Sequence, residues 1–417
     1  MKKILLIALV ALCIFMPSTY KVEAANDELK TSDSSFEEIV DELLKNIDTE
    51  SFEKLYQKYL KGITTEKSFT EYLNGFLNGE NSVDYGNFFE YFFKLFFKDI
   101  YGFLGIFACV TAAMALNGLL SGISVNKNRT TDVAFIVCYL SIALLVFGET
   151  ATLASEVFDF LKEMTGFIET IYPVLITLVA ASGGKAKANA LKPASLFVSQ
   201  GISSALVNLL IPLISIICVL GVISSLSEKF SLKKTKEFFQ SAFKWVSGIC
   251  VTVFSAFTVI SGLGAASYDG VSLRALKYTV GNAVPAVGSF AKEGIDVALA
   301  ASYVIKNSLG GLFSVALIFA FFLPLIKILA LSLVFKLLAA VGEPLADKRI
   351  TDMISSFSET LNLIAISLIL IFVVFFFTVY TDNSPFNAIA AVTPTNMPKN
   401  PYITLKKSLK KKSKKLT

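Results

Sequence analysis

Few residues in this chain could carry chemistry, and most reaction classes are excluded by what is missing. The 417 residues contain no histidine. That removes Ser-His triads, histidine general acids and histidine metal ligands together. Five cysteines occur. Cys13 lies near the start, and Cys109, Cys138, Cys218 and Cys250 each stand alone in an apolar run. No pair has C-x-x-C spacing, so neither a zinc site nor a dithiol redox motif is indicated. Their expected role is that of a small buried apolar side chain. There is no G-x-x-x-x-G-K-[ST] loop, so any nucleotide-driven step must belong to another protein. No enzymatic activity, cofactor or metal site is expected.

What remains is a set of residues that break or charge apolar helices. Pro173, Gly183, Gly184, Pro212, Asn282, Pro285, Pro324 and Lys327 lie within or beside strongly apolar runs. Proline removes an amide donor, and paired glycines carry extra backbone entropy. In hydrocarbon a freed backbone group has no water to bond, so such breaks are tolerated only where protein or a wet cavity covers them. A charge such as Lys327 inside an apolar run usually faces a cavity or a partner. These eight are the candidate broken-helix or pore-lining residues. Phe167–Leu226 has two readings. It is either two spans joined by a cytoplasmic loop carrying Lys185, Lys187 and Lys192, or a pair of half-helices lining a path. Lys327 either lines a conduit or marks the interface after a span that ends at Pro324. Residues 278–305 carry Asn282, Lys292, Glu293 and Asp296 and suit a pore-facing or a surface helix; Lys292 and Asp296 are four apart and can pair.

The elements that must position these residues are helices in a bilayer. The chain is 54% hydrophobic and 17% charged, with a mean hydropathy of +0.64, too oily for a soluble domain of this length. The expected fold is all-α. It is a polytopic transmembrane bundle of about seven spans, some broken or re-entrant, with a small N-terminal helical extracytoplasmic domain. Residues 1–24 read as a signal peptide: Lys2 and Lys3, an apolar core from Ile4 to Met16, then Val22-Glu23-Ala24. Residues 25–100 read as the acidic helical domain. From Asn26 to Ile100 there are sixteen acidic and eight basic residues, a net charge of −8. Apolar positions from Phe36 to Ile47 recur at helical spacing. The domain ends in an aromatic helix around Phe88–Asp99, suited to the membrane–water boundary.

Residues 101–380 read as the multi-pass domain. Its predicted spans are Tyr101–Ile123, Val133–Phe147, the broken segment, Trp245–Ala266, Leu309–Phe335 and Leu361–Tyr380. An acidic loop over 148–166 is expected outside. Residues 381–417 form a basic tail with seven lysines between Lys406 and Lys415. Seven crossings put it in the cytoplasm, where its lysines suit anionic lipid. The lysine-rich loop 227–244 resists this count and falls outside, against the positive-inside rule. A hairpin at Pro212, with Pro285–Ile305 as an added crossing, would return it inside.

Three stretches carry a resemblance to a known family. The first runs from Phe167-Ile168 through Tyr172-Pro173 to Ala180-Ala181-Ser182-Gly183-Gly184. The second is Ser272-Leu273-Arg274-Ala275-Leu276-Lys277-Tyr278-Thr279-Val280-Gly281-Asn282, with Val284-Pro285-Ala286-Val287-Gly288 and Lys306-Asn307-Ser308-Leu309-Gly310 after it. The third is Phe322-Leu323-Pro324-Leu325-Ile326-Lys327, followed by Lys336-Leu337-Leu338-Ala339-Ala340. In their order and spacing the chain resembles the stage III sporulation protein AE family over roughly residues 1–380. The tail after Asp382 departs from the family pattern. The resemblance implies a non-enzymatic component of the mother-cell channel or secretion-like complex needed at the engulfed-forespore stage. It implies a multi-pass position in the mother-cell, outer forespore, membrane. The implied partners are the other proteins of the same sporulation operon, a forespore membrane protein reached through the complex, and the lipid bilayer; a homo-oligomer is compatible with it, and nucleic acid is not expected. A stand-alone transporter and a scaffold without a conduit are the alternatives; the lack of an internal repeat speaks against the transporter.

Overall fold

The computed structural model describes residues 53–54, 57–58, 85–123, 129–181, 200–201, 203–226, 232–257 and 288–383. Among them every regular element is a helix. In chain order these are α1 (Tyr85–Gly102), α2 (Leu104–Ile123), α3 (Arg129–Ala181), α4 (Ile211–Leu226), α5 (residues 233–257), α6 (Gly288–Gly342) and α7 (Lys348–Asn383). Four runs are long and apolar enough to cross a membrane: Val133–Ile171, Ser203–Leu226, Leu309–Gly342 and Lys348–Phe376. The α1–α2 pair, bent by 40° at its break, makes a fifth. The expected seven spans are therefore four or five among the described residues. The signal peptide, most of the acidic domain, Gly183, Gly184, Asn282, Pro285 and the lysine tail lie outside the described residues.

One expected loop is helix instead. Val133–Phe147 and Phe167–Ala181 belong to one continuous helix, the 53-residue α3. Residues 148–166 were predicted as a loop from their charge. Their apolar residues nonetheless keep a helical period, and Leu153, Val157, Leu161 and Met164 form one buried face. At about 1.5 Å per residue α3 is about 80 Å long, more than twice the hydrocarbon thickness of about 30 Å. Likewise the stretch before Ile305 is no separate crossing, because α6 runs unbroken from Gly288 to Gly342. Glu343-Pro344 does end that helix, since the residue before a proline avoids helical geometry.

The prolines bend no chain back on itself. Pro173 and Pro324 lie inside α3 and α6. The hairpin expected at Pro212 is absent; Leu206–Leu210 forms a π-helical turn that leads directly into α4. A widened turn gives the proline ring room against the carbonyl four residues earlier. Hydroxyls along these oily helices bond within them. Thr111, Ser141, Thr150, Thr177 and Thr378 each donate to the carbonyl four residues before, at 2.7–2.8 Å. That satisfies each donor without water.

Helix α7 is the centre of the bundle, packed on α6 along its length and also on α3 and α4. Phe357 of α7 meets Phe335 of α6 and Phe147 of α3, each at 6.5 Å between ring centroids. Further along, Phe321 of α6 meets Phe160 at 5.0 Å and Phe372 at 5.4 Å. These contacts set α3 parallel to α7 and antiparallel to α6.

They also sort the helix ends. Arg349 stacks on Phe135 at 3.7 Å, and the Tyr139 hydroxyl donates to the Val222 carbonyl at 2.7 Å. Gly118 lies against the Leu345 backbone, and Lys236 donates to Glu359 at 2.7 Å. The start of α3, the ends of α2, α4 and α6, and the starts of α5 and α7 therefore share one end. Arg129, Lys233, Lys234, Lys348 and Arg349 belong to it. Residues 233–244, expected in a loop that the crossing count placed apart from 124–132, are instead the first turns of α5 and lie at that same end. Helix α7 leads away from it, so Asn383 lies at the opposite end of the bundle.

Candidate functional site

The surface of α3 changes character part-way along. From Val133 to Phe147 its exposed large residues are apolar: Val133, Ile136, Val137, Leu140, Leu144, Leu145 and Phe147. From Thr152 to Thr170 the exposed positions are Thr152, Ser155, Glu156, Asp159, Lys162, Gly166, Glu169 and Thr170. The polar flank from Thr152 to Thr170 is about 27 Å long at about 1.5 Å per residue, close to a hydrocarbon thickness. It is level with strongly apolar stretches of α6 and α7, as the Phe160–Phe321–Phe372 contacts require. A flank like this is not covered by lipid tails without cost.

Its charges are met from three other parts of the chain. Lys327 of α6 forms an ion pair with Glu156. Lys58 pairs with Glu163, and Gln200 donates to Glu169 at 3.0 Å. The Asp99 carboxylate of α1 lies close enough to feel the charges of Lys327, Lys98 and Glu156. One turn before Lys327, Phe322 holds Phe92 of α1 at 5.9 Å. The aromatic helix thus packs along the middle of the α6 span and does not stand apart from it. Charged side chains from α1, α3 and α6 converge at a single level, half-way along the Leu309–Gly342 run.

A second polar cluster closes the helix contacts nearer the basic end. Ser332 and Ser358 approach to 3.0 Å between hydroxyls, and Ser332 donates to Asn362 Oδ1 at 3.2 Å. Lys236 Nζ reaches Ser356 Oγ at 2.9 Å, while Gln240 joins Glu359 at 3.3 Å. All of these are side chains satisfying one another between helices, and each hydroxyl has a partner. Asn117 of α2 differs: it is buried and its Oδ1 has no hydrogen-bond partner. Cys109, Cys138, Cys218 and Cys250 are free thiols on four different helices. Among the described residues no group of carboxylates and thiols is arranged to hold a metal ion.

Among the described residues singled out from sequence, Lys327 alone joins the charged seam. Pro324 sits half-buried one turn from it. Pro173 is exposed on α3, four residues beyond Glu169, and Pro212 is exposed on α4. Lys292 and Asp296 fall on α6. Glu156 and Asp99, the groups nearest Lys327, were not singled out. The available signal was the helical period running through 148–166, which turns an apparent acidic loop into one polar helix face.

No solved structure matches the chain. A protein of Bacillus subtilis (strain 168) described as stage III sporulation protein AE is 24% identical over 383 residues, covering 90% of this chain and 96% of its own. The family profile described as stage III sporulation protein AE matches residues 67–381, ending just before the lysine tail. With that match spanning most of its length and the all-helical, span-bearing bundle beneath it, the chain belongs to the stage III sporulation protein AE family.

Proposed function

We propose that this chain is a non-enzymatic membrane subunit of the channel or secretion-like complex that serves the engulfed forespore. On this reading it sits in the mother-cell membrane with its lysine- and arginine-bearing end in the cytoplasm, as the positive-inside rule favours. The polar flank of α3 then faces a wet passage or a polar partner subunit within the complex. The observation that carries the reading is the Lys327–Glu156 pair, with Asp99 beside it, inside runs otherwise apolar enough to cross a bilayer. Ionisable groups at membrane depth are costly and are kept where they serve a path or a contact. The family supplies the developmental setting; the seam supplies the place on this chain where a passage would run.

The test is made in sporulating cells with Lys327→Met, Glu156→Gln and the charge exchange Lys327→Glu with Glu156→Lys. Recovery of operon-encoded partners with the tagged chain reports assembly, and a late forespore reporter reports function. The reading expects assembly to persist while reporter output falls in both single variants and in the exchange, since a lining senses where each charge sits. Full rescue by the exchange would make the seam a structural clamp only. Unchanged output in every variant would remove the seam from the function.

A further inference from the structure

The outward face of α5 joins three features that the seam does not use. Phe238, Trp245, Ile249 and Val253 point outward on one row and are 67%, 73%, 58% and 53% exposed. Lys234 continues that row one turn before Phe238, and Lys233 stands beside it; both are exposed. Lys236, by contrast, turns inward and is bound by Ser356 and Glu359. The outward lysines therefore do not serve the bundle. Between the large side chains lie Ser241 and Gly248, and a side chain added at Gly248 would meet nothing within 4 Å. The face is thus a notched apolar strip that ends in two ammonium groups.

From Lys234 to Val253 the strip is about 28 Å long at about 1.5 Å per residue, nearly the thickness of a hydrocarbon layer. Its aromatic residues sit toward the charged end, as at a membrane–water boundary. Glu237 lies on the flank of the lysines, and Lys244 lies almost three turns further along, so the balance stays positive by two charges over Lys233, Lys234, Glu237 and Lys244. Strip and charge together fit one kind of ligand, an anionic phospholipid with acyl chains along Trp245 and Ile249 and its phosphate at Lys233 and Lys234. We propose that the N-terminal half of α5 is an anionic-phospholipid binding face. A zwitterionic lipid would cover the apolar strip, but its choline cation cancels its phosphate, so it brings no net counter-charge to the two ammonium groups.

Trp245 is the single tryptophan of the chain, so its fluorescence reads this face alone. The full chain in mixed micelles is titrated with phosphatidylglycerol or phosphatidylcholine carrying brominated acyl chains, which quench tryptophan on contact. Half-quenching is expected at a mole fraction lower by about fivefold or more for phosphatidylglycerol, a preference one lysine near an anionic surface can supply. The Lys233→Gln, Lys234→Gln double variant should quench equally with both lipids, and Lys233→Arg, Lys234→Arg should restore the preference. Inorganic phosphate, lacking acyl chains, should leave quenching by brominated phosphatidylglycerol unchanged. Equal quenching of the native chain by the two lipids would overturn the proposal. So would a preference that survives the double glutamine variant, or one that inorganic phosphate abolishes.

Discussion

Adding one methyl group at Gly118 should cost stability, whereas the same change at Gly105 should add to it. Both glycines lie on α2, thirteen residues apart in the same helix. At Gly105 a Cβ would meet nothing within 4 Å. Alanine there keeps only the helix-propensity gain, about 0.8–1 kcal/mol over glycine. At Gly118 a Cβ would overlap the Leu345 carbonyl oxygen, with the carbonyl carbon 3.1 Å away. That obstacle is backbone, held in the tight turn between α6 and α7 by the Leu345 amide donating to the Gly342 carbonyl at 3.0 Å. It cannot swing aside as a side chain would, so α2 or the turn must move. Overpacking costs about 1–3 kcal/mol, and a backbone obstacle belongs at the upper end. Subtracting the propensity gain leaves Gly118→Ala about 2 kcal/mol less stable than the native chain. The assay is retention of the monodisperse peak after graded heating of the detergent-solubilised protein. Gly105→Ala should shift the midpoint up and Gly118→Ala down. Equal midpoints for the two variants would refute the close approach of α2 to the turn, and with it the placement of α2 at the basic end.

Other consequences follow from the same contacts. Phe335→Ala removes a fully buried ring packed on Phe357 and should cost about 3–5 kcal/mol; the same heating assay measures it. Ser332→Ala should leave Ser358 and Asn362 short of a partner and cost about 1–2 kcal/mol, while adding Ser358→Ala should cost little more, because the remaining polar groups then lack only a shared partner. A double-mutant cycle reads this, and simple additivity would contradict the shared network. The Arg349 guanidinium beside Asp347 holds its carboxyl below the usual carboxylate range, first through their side-chain hydrogen bond. A depressed carboxyl contributes stability above its unfolded value of about 3.9 and loses it as pH falls through the lower folded value. Midpoints measured between neutral and acid pH should therefore converge for the native chain and Asp347→Asn only below about pH 4.

The helices were legible in the sequence where apolar runs were long, and where Glu343-Pro344 marked an end. They were less legible where charge and helix coincide. Residues 148–166 hold four carboxylates and a lysine, and their composition outweighed the period of Leu153, Val157, Leu161 and Met164. Counting that stretch as a loop split α3 in two. The prolines misled in the same direction. Pro173 and Pro324 each remove one amide donor, but one lost bond in helices of 53 and 55 residues is offset by packing on α7. At Pro212 a π turn absorbed the ring. Lys327 was recognisable as a charge inside an apolar run from its neighbours alone. Its partner was not, because Glu156 is 171 positions away and only the antiparallel packing of α3 on α6 brings them together.

The account rests on the two ends of the bundle being sorted as the contacts require, with the start of α5 at one end and the finish of α7 at the other. Single cysteines placed at Thr235 and at Asn383 in a cysteine-free chain, probed with an impermeant maleimide on intact cells, test this directly. One site should label from outside and the other only after permeabilisation, with Asn383 the outward one if the basic end is cytoplasmic. Labelling of both from the same side would contradict the packing of α7 against α3 and α6 from which the seam was derived.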